Sequence, residues 1–279
     1  MQRNLQCGRY DLPLTGDGSR PLVMGILNAT PDSFSDGGRF DLLEAALSHA
    51  EQMINDGVDI IDIGAESTRP GVTPLPVEEE LRRLLPVLYA LRDCGKPLSV
   101  DTRNPLVMRE ALMAGADMIN DVNGFRTAGA IDALAQSDCG LCIMHMQNSP
   151  ENMQLDPHYD NVAAEVTAFL QHTVDRLAAA GVERARICVD PGFGFGKNLA
   201  HNLQLMKDLG RMKEELRLPM LVGLSRKSMI GQITGKPVAE RLAGSLAAAL
   251  VAADRGADII RVHDVAATVD ALKVRRALS

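Results

Sequence analysis

The chain has 279 residues, of which 46% are hydrophobic, and it carries a formal net charge of −7. That length supports one large core or two smaller ones. The acidic balance and the lack of a basic block argue against nucleic acid and anionic membranes as partners. The N-terminus lacks the apolar segment of a signal peptide. The longest wholly apolar run, Leu246–Ala253, is too short to span a bilayer.

The five cysteines are an odd number spread along the chain. This distribution argues against a disulfide framework and for a reducing compartment, so we expect a cytoplasmic protein. Cys139 and Cys142 have the C-x-x-C spacing, but no histidine or second cysteine pair accompanies them. We therefore interpret Cys142 as a small hydrophobic residue in a strand. No His–Glu–His spacing suggests zinc.

Short apolar runs alternate with amphipathic helical stretches along the whole chain. In order, the runs are Leu22–Leu27, Ile60–Ile63, Leu98–Val100, Met118–Asn120, Leu141–Met144, Arg186–Val189, Met220–Leu224 and Ile259–Val262. Predicted helices between them include Leu42–Asn55, Val77–Arg92, Asn161–Ala180 and Ala239–Arg255. Three of the junctions, "DGVDII", "AGADMI" and "RGADII", place a glycine where a helix ends and a strand follows.

Continuous apolar runs are typical of strands buried on both faces. Eight strand-then-helix units predict an α/β protein with a (β/α)8 TIM barrel. An open doubly wound sheet is the alternative, but the glycine-rich turn expected after its first strand is absent. We predict a single domain over residues 1–279, with 1–20 capping the bottom of the barrel and 21–279 forming it.

Each predicted strand ends in a polar side chain. In order, these are Asn28, Asp62, Asp101, Asn120 with Asp121, His145, Asp190, Ser225 with Arg226 and Lys227, and Arg261 with His263. Any one of them could be a helix cap or a turn former. In a barrel, however, all eight carboxyl ends meet at one mouth, which favours a shared functional site.

The longest predicted connections lie at the same end. They are Asn28–Asp41, Gly64–Pro76, Gln147–Asp160 and Pro191–His201. Long loops on one rim indicate that this rim carries the function. The first, "NATPDSFSDGG", has the composition of a flexible loop with an apolar Phe34 at its centre, and we expect it to close over the mouth.

Two kinds of chemistry are expected at the mouth. Asp101, Asn120 and Asp190 suit a flat heterocycle, because a carboxylate pairs with an amidine-like edge through two hydrogen bonds. Cationic side chains suit a phosphate group; these are Arg69, Lys227, Arg261 and His263. The segment "SRKSMIG" opens a helix whose free N–H groups and Ser228 hydroxyl would bind an anion. "DPGFGFGK" is not a P-loop, because only three residues separate Gly192 from Gly196 and Asn198 follows the lysine.

These motifs together resemble the dihydropteroate synthases of the bacterial folate pathway. The resemblance covers nearly the whole chain through "NATPDSFSDGG", "DIGAESTRPG", "SVDT", "INDVNG", "DPGFGFGK", "GLSRKSMIG" and "RVHDV", in that order. It implies condensation of (7,8-dihydropterin-6-yl)methyl diphosphate with 4-aminobenzoate, with release of diphosphate. Ala29 and Ala65 depart from the family pattern conservatively, at positions that tolerate small apolar residues.

The resemblance also implies a role for each site residue. The pterin would be held by Asp101, Asn120, Asp190 and Lys227, with Asp190 on the amino-pyrimidine edge, Lys227 on the carbonyl side and Met144 against the ring face. The diphosphate would be held by Asn28, Arg69, Arg261 and His263, and the Asn28 amide oxygen would bind a Mg²⁺ cofactor. The aminobenzoate site would be shaped by Thr68, Pro70, Phe195 and Ser228. Asp101, Lys227, Arg261 and His263 are the expected catalytic residues.

The implied mechanism is early departure of diphosphate, giving a pterin-methyl cation that the neutral arylamine attacks. Alternatives are a corrinoid methyltransferase barrel that binds a folate, a Schiff-base aldolase barrel and a non-catalytic pterin-binding protein. The predicted helix "AERLAGSLAAALVAADRGAD" is apolar around much of its circumference. Since barrel packing uses only one face, and since the family is usually dimeric, we expect a homodimer.

Overall fold

The computed structural model describes residues 4–14, 20–29, 39–66, 75–149 and 152–278. The chain begins with an antiparallel hairpin of β1 (Asn4–Cys7) and β2 (Tyr10–Pro13). Leu5, Cys7 and Leu12 of this hairpin are buried against Met24 and Ile60, which line the lower part of a barrel. The N-terminal segment therefore caps the bottom of that barrel, as the sequence predicts.

Eight parallel strands follow the hairpin. They are β3 (Leu22–Asn28), β4 (Ile60–Gly64), β5 (Leu98–Asp101), β6 (Met118–Asp121), β7 (Gly140–Met144), β8 (Ile187–Asp190), β9 (Leu221–Gly223) and β10 (Ile259–Val262). Their order in the sheet is β8-β7-β6-β5-β4-β3-β10-β9. Each strand from β3 to β8 pairs with the next along the chain, which is the topology of a (β/α)8 barrel.

The two ends of this sheet meet between β8 and β9. Here one parallel bridge, Val189 to Met220, joins the strands, and the Val189 N–H donates to the Pro219 carbonyl at 2.9 Å. The other neighbouring strands share three to five register partners. We refer to this junction as the β8–β9 seam.

Helices surround the barrel. Within the described residues they are α1 (Arg39–Asn55), α2 (Val77–Leu91), α3 (Pro105–Met113), α4 (Ala130–Leu134), α5 (Val162–Ala179), α6 (Leu199–Leu216), α7 (Ser228–Thr234), α8 (Leu242–Asp254) and α9 (Val265–Leu278). Asparagines cap three of them: the Asn104, Asn161 and Asn198 side chains accept from backbone N–H groups of the first turn. None of the helices in the described ranges is both long enough and apolar enough to cross a membrane.

The predicted turns from helix to strand are present. Gly57, Gly115 and Gly256 all have positive φ, at 89°, 104° and 92°. That conformation is open to glycine at little cost, and it reverses the chain within a few residues. The connections at the bottom of the barrel are therefore short, which leaves the long loops at the opposite end.

Several predicted boundaries shift by one to three residues; the first helix, for example, begins at Arg39 rather than Leu42. The strand predicted from Arg186 begins at Ile187, because Arg186 ends a short 3₁₀ helix, Arg184–Arg186. Its buried guanidinium donates to the Cys139 carbonyl at 2.8 Å. The predicted helix from Ala239 begins at Leu242 instead, after a 3₁₀ turn over Val238–Glu240. Most of the two predicted loops Asn28–Asp41 and Gly64–Pro76, including Phe34, lies outside the described residues.

Candidate active site

Alternation along the strands turns several of the predicted polar residues into the barrel, among them Asp101, Asn120 and Asp190. Cys142 and Cys188 belong to the lower apolar layer, and two residues further on Met144 and Asp190 form a register pair. Asp101 and Asn120 pair in the same way on β5 and β6. Because successive side chains of a strand point to opposite faces, residues two apart share the interior. The carboxyl end of the barrel is therefore polar, above an apolar floor.

Arg261 on β10 lies between two aspartates of the opposite strands. Its Nε donates to Asp62 Oδ2 at 2.6 Å, and its Nη2 donates to Asp101 Oδ2 at 2.9 Å. Burial lowers the pKa of Arg261, but the two carboxylates outweigh it and the net shift is upward. Asp62 is fully buried and also accepts from the Asn120 amide at 3.3 Å. The sequence places Asp62 at a strand end but does not reveal this role.

Two oxygen atoms in this cluster are buried without a partner among the described residues: Asp62 Oδ1 and Asn120 Oδ1. Buried acceptors in proteins are nearly always hydrogen bonded, so unpaired ones indicate where a donor binds. Asn120 projects into the barrel from the same layer as Asp101. Its amide oxygen is thus available to an N–H group of a ligand.

Asp190 ends β8 and is buried. Its Oδ1 accepts from the Gly192 N–H at 2.7 Å. Burial raises the pKa of the Asp190 carboxyl, whereas Lys227 and Arg261 act in the opposite direction. An apolar wall lies nearby, formed by Val122, Met144, Met146 and Met153, with Phe195 packed against it. A carboxylate beside an apolar wall suits a flat ring with a polar edge.

Lys227 precedes α7 and reaches back over the mouth. Its Nζ donates to the Phe193 carbonyl and lies 4.7 Å from the centre of the Phe195 ring. Burial lowers its pKa to about 8, although Asp190 opposes the shift. The backbone beside it is held by Arg241, the residue before α8, whose Nη1 donates to the carbonyls of Arg226 at 3.0 Å and Lys227 at 3.4 Å. Lys227 is therefore a fixed cation at the mouth.

His263 follows β10 and pairs with Ser225. Its Nδ1 lies 3.0 Å from the Ser225 hydroxyl, which also accepts from the His263 N–H at 3.2 Å. Burial lowers the pKa of His263 to about 4, with help from Arg261 and Arg226. The imidazole is thus neutral near pH 7 in the absence of an anion.

Lys197 is a site residue that the sequence analysis missed. Its side chain is buried, and its Nζ donates to the carbonyls of Gly192 and Phe195, both at 3.0 Å. The same atom lies 2.9 Å from His145 Nδ1. The sequence signal for this residue is the lysine that ends "DPGFGFGK". That motif was compared only with nucleotide-binding loops. His145 appeared among the strand-end residues, but its partner is not visible in sequence.

Carboxyl groups also support the base of the second long loop. The Glu66 carboxylate accepts from the Leu75 N–H at 3.1 Å and pairs with Arg103 at 3.3 Å. Glu80 of α2 is buried and accepts from the Thr102 hydroxyl at 2.6 Å. Burial raises the pKa of Glu80 to about 7.

The remaining predicted residues include two that are exposed at the mouth and three that the structure does not describe. Asn28 ends β3 and is exposed at the mouth, and Ser228 is exposed as the first residue of α7. Thr68, Arg69 and Pro70 lie outside the described residues. Asp121, another polar strand end, closes a turn by accepting from the N–H groups of Asn123 and Phe125, both at 2.7 Å. Within the described residues, no group of three or more His, Cys, Asp or Glu side chains could hold a metal ion.

The barrel and this site define a pterin-binding enzyme: the family model with the description "Pterin binding enzyme" matches residues 24–263. A dihydropteroate synthase of Neisseria meningitidis serogroup C is 49% identical over 277 residues, covering 98% of this chain and 96% of its own. The dihydropteroate synthase of Escherichia coli K12 is 50% identical over 259 residues, covering 92% of each chain. The chain belongs to the dihydropteroate synthases, and it is therefore a transferase.

A solved structure supports the same assignment. Burkholderia cenocepacia dihydropteroate synthase complexed with 7,8-dihydropteroate has a TM-score of 0.89 and 51% identity to this chain, covering 99% of this chain and 96% of its own. The fold, the family and the relatives thus agree.

Proposed function

We propose that this chain joins (7,8-dihydropterin-6-yl)methyl diphosphate to 4-aminobenzoate at the barrel mouth and releases diphosphate. The observation that carries the proposal is the layer formed by Asp101, Asn120, Asp190 and Arg261, in which a buried amide oxygen has no partner within the described part of the chain. Membership of the dihydropteroate synthases supports this reaction.

The pterin would bind between the polar layer and the apolar wall. Asp190 would accept from the amino-pyrimidine edge, and Asn120 Oδ1 would accept from a ring N–H group. Lys227 would donate to the ring carbonyl, and Met144 would cover one ring face. The register pairs of Asn120 and of Met144 with Asp190 at the carboxyl ends of their strands support this arrangement. Two hydrogen bonds to one carboxylate would also fix the orientation of the ring.

The diphosphate would lie further out, near the ends of β3, β9 and β10. Arg261 and His263 would bind it with Arg69, and Asn28 would bind the metal that accompanies it. Mg²⁺ prefers oxygen ligands and is usually held by one or two carboxylates together with substrate phosphates and water, so the Asn28 amide oxygen would serve as one oxygen ligand beside the diphosphate. When bound, Mg²⁺ would neutralise charge on the leaving group.

The site residues also fit the proposed order of steps, in which diphosphate departs before the arylamine attacks. The Asp101 carboxylate lies in the floor of the mouth and would stabilise positive charge on the pterin-methyl group as the C–O bond breaks. Arg261, Lys227 and His263 would stabilise the negative charge that leaves. The arylamine of 4-aminobenzoate is neutral at pH 7 and needs no base to attack. Phe195, Ser228, Thr68 and Pro70 would position it.

A diphosphate-release assay with and without 4-aminobenzoate tests the reaction. Release that depends on the arylamine and matches formation of dihydropteroate supports the proposal. A methyltransferase or a pterin-binding protein would release no diphosphate. An aldolase needs a lysine on a strand facing the mouth, whereas Lys227 lies beyond the end of β9.

Calorimetry with the pterin diphosphate tests the metal. Affinity that rises with Mg²⁺ in the normal chain and is insensitive to Mg²⁺ in Asn28→Ala supports the assignment. Equal dependence on Mg²⁺ in both proteins would contradict it.

A homodimer is the proposed assembly. Five of the eleven large apolar side chains that are exposed among the described residues lie on α6, α7, α8 and the turn before α8; these are Leu203, Ile233, Val238, Leu242 and Val251. An apolar patch of this kind commonly marks a protein interface. Sedimentation should give a dimer, and Leu242→Glu should shift it to monomer. Monomeric wild-type protein at micromolar concentration would contradict the assembly.

We also propose a cytoplasmic location, because free thiols are typical of a reducing compartment. All five cysteines lie within the described residues, and all are free.

A further inference from the structure

The loop between Asp190 and Lys197 is held by hydrogen bonds at every carbonyl from residue 192 to residue 196. Lys197 Nζ binds the carbonyls of Gly192 and Phe195, and Lys227 binds that of Phe193. Gln154 donates to the Gly194 carbonyl at 2.5 Å, and Tyr159 donates to that of Gly196 at 2.8 Å. A loop with so many fixed carbonyls is a rigid platform rather than a mobile cover.

Lys197 makes more of these bonds than any other side chain. An ammonium group has three donors, and Lys197 places them on Gly192, Phe195 and His145 Nδ1. Its charge is buried, which is costly for an ammonium unless every donor is satisfied. Burial lowers its pKa to about 7, and the nearby Asp190 opposes that shift. Packing alone does not explain why a buried position holds an ammonium group with three hydrogen bonds.

The two backbone polar groups of Gly192 connect Lys197 to the proposed pterin site. Its carbonyl accepts from Lys197, and its N–H donates to Asp190 Oδ1. Gly192 has φ 70°, and a Cβ at this position would meet the His145 carbonyl oxygen at 1.8 Å. Gly192 therefore fits closely against the end of β7, which holds both its carbonyl, bound by Lys197, and its N–H, bound to the Asp190 carboxylate, in place. The positive charge of Lys197 also favours the ionised form of Asp190.

The Phe195 carbonyl connects Lys197 to the second substrate. The same residue carries the ring that lies beside Lys227 Nζ. Asn202 of α6 holds the preceding residue, because its Oδ1 accepts from the Gly194 N–H at 2.7 Å. Its amide group also donates to the Lys197 carbonyl at 3.3 Å.

We propose that Lys197 is a positioning residue that sets both substrate sites at once, by aiming Asp190 through Gly192 and the Phe195 ring through its backbone carbonyl. The proposal rests on the function proposed above. His145 accepts the third hydrogen bond of the ammonium. Asn202 binds the loop to α6.

The test compares Lys197→Met with a matched control. Methionine keeps length and burial but removes the donors and the charge. Arg186→Met is the control, because Arg186 is also a buried cation bound to carbonyls, those of Cys139 and Leu134, at the opposite end of the barrel. Both proteins are assayed well below their melting temperatures, for pterin diphosphate Kd by calorimetry, KM for 4-aminobenzoate and kcat.

For Lys197→Met we expect the pterin Kd and the aminobenzoate KM to rise roughly 10- to 100-fold, as expected for misplaced binding groups. Arg186→Met should lose thermal stability and keep both constants. Lys197→Arg, which retains the charge and donors, should recover part of the loss. If Lys197→Met keeps both constants while folded, as Arg186→Met does, the positioning role is wrong.

Asn202→Ser covers the case in which Lys197→Met does not fold. It removes the anchor of Gly194, so it should raise the KM for 4-aminobenzoate more than the pterin Kd. Unchanged constants in this variant would also overturn the proposal. Failure of the proposed function is a separate result: the wild-type chain itself would then form no dihydropteroate.

Discussion

Arg261 Nε lies 2.6 Å from Asp62 Oδ2, at the centre of the barrel mouth. Asp62 is fully buried, so its charge is removed from water and depends on this partner. A buried carboxylate that loses its partner is strongly destabilising, whereas replacing both members of the pair is often neutral. The pair therefore ties the stability of the barrel to a residue expected to bind diphosphate.

Arg261→Met should lower the free energy of unfolding by roughly 3–5 kcal/mol, because it leaves Asp62 without its cation. Adding Asp62→Asn should restore much of the loss. Urea unfolding of the single and double variants measures both values. Lys236→Met, at an exposed pair with Glu240, is the control and should cost about 0–1 kcal/mol. Equal stability of the single and double variants would show that the pair is not coupled.

Asp101→Asn should reduce the rate of the chemical step by roughly 10²-fold or more, because it removes a negative charge beside the developing cation. Pterin binding should persist, since Asn120, Asp190 and Lys227 remain. Single-turnover kinetics separates the step from binding. Ser99→Ala is the control, because Ser99 is a buried residue of the same strand, two positions below. A near-normal rate for Asp101→Asn would contradict the stabilising role.

The pKa of His263 should rise when diphosphate binds. Burial and the neighbouring arginines lower it to about 4, so the imidazole is neutral at pH 7, and an anion beside it favours the charged form. The contribution of His263 to diphosphate affinity should therefore increase as the pH falls through the raised pKa toward 4. NMR titration of the histidine ring protons with and without diphosphate measures the shift.

His49 in the exposed part of α1 provides the internal control for that titration, because diphosphate bound at the mouth should leave its resonance unmoved. A His263 resonance that is equally insensitive would place the anion elsewhere.

Glu80 should make the protein less stable as the pH rises. Burial raises its pKa from 4.5 to about 7, so the folded state holds a proton that the unfolded state releases. The stabilisation is complete below pH 4.5 and is lost as the pH passes through 7. At 1.36 kcal/mol per pKa unit this amounts to about 3 kcal/mol.

Glu80→Gln should remove most of this dependence between pH 4.5 and 7, as measured by unfolding in urea across that range. Glu66 and Arg103 also face Glu80 and remain in the variant. Glu78→Gln, at an exposed position of the same helix, should leave the dependence intact. Parallel pH profiles for wild type and Glu80→Gln would assign the effect to another group.

The sequence predicts the barrel because its signals are local. The glycines at 57, 115 and 256 mark the turns from helix to strand, and each has the positive φ that such a turn requires. Asp101, Asn120 and Asp190 were found for the same reason: each directly follows an apolar run, and topology alone brings strand ends together.

The contacts of Lys197 and Asp62 could not be predicted in this way. Lys197 lies 52 residues from His145, and Arg261 lies 199 residues from Asp62. Such pairs depend on the shear of the barrel and on side-chain reach, which no local pattern encodes. The strand-end position of Asp62 predicts that it lies at the mouth, but not that it pairs with Arg261.

The β8–β9 seam is the part of the barrel wall that a bound pterin would affect most. Asp190 is the last residue of β8, and Lys227 follows β9, so the two side chains assigned to opposite edges of one ring stand on either side of the junction with the fewest backbone hydrogen bonds. A bound pterin would act as a cross-link between two strand ends that the main chain itself joins by a single bridge. The ligand would then reinforce the junction of the barrel wall that the main chain holds least firmly.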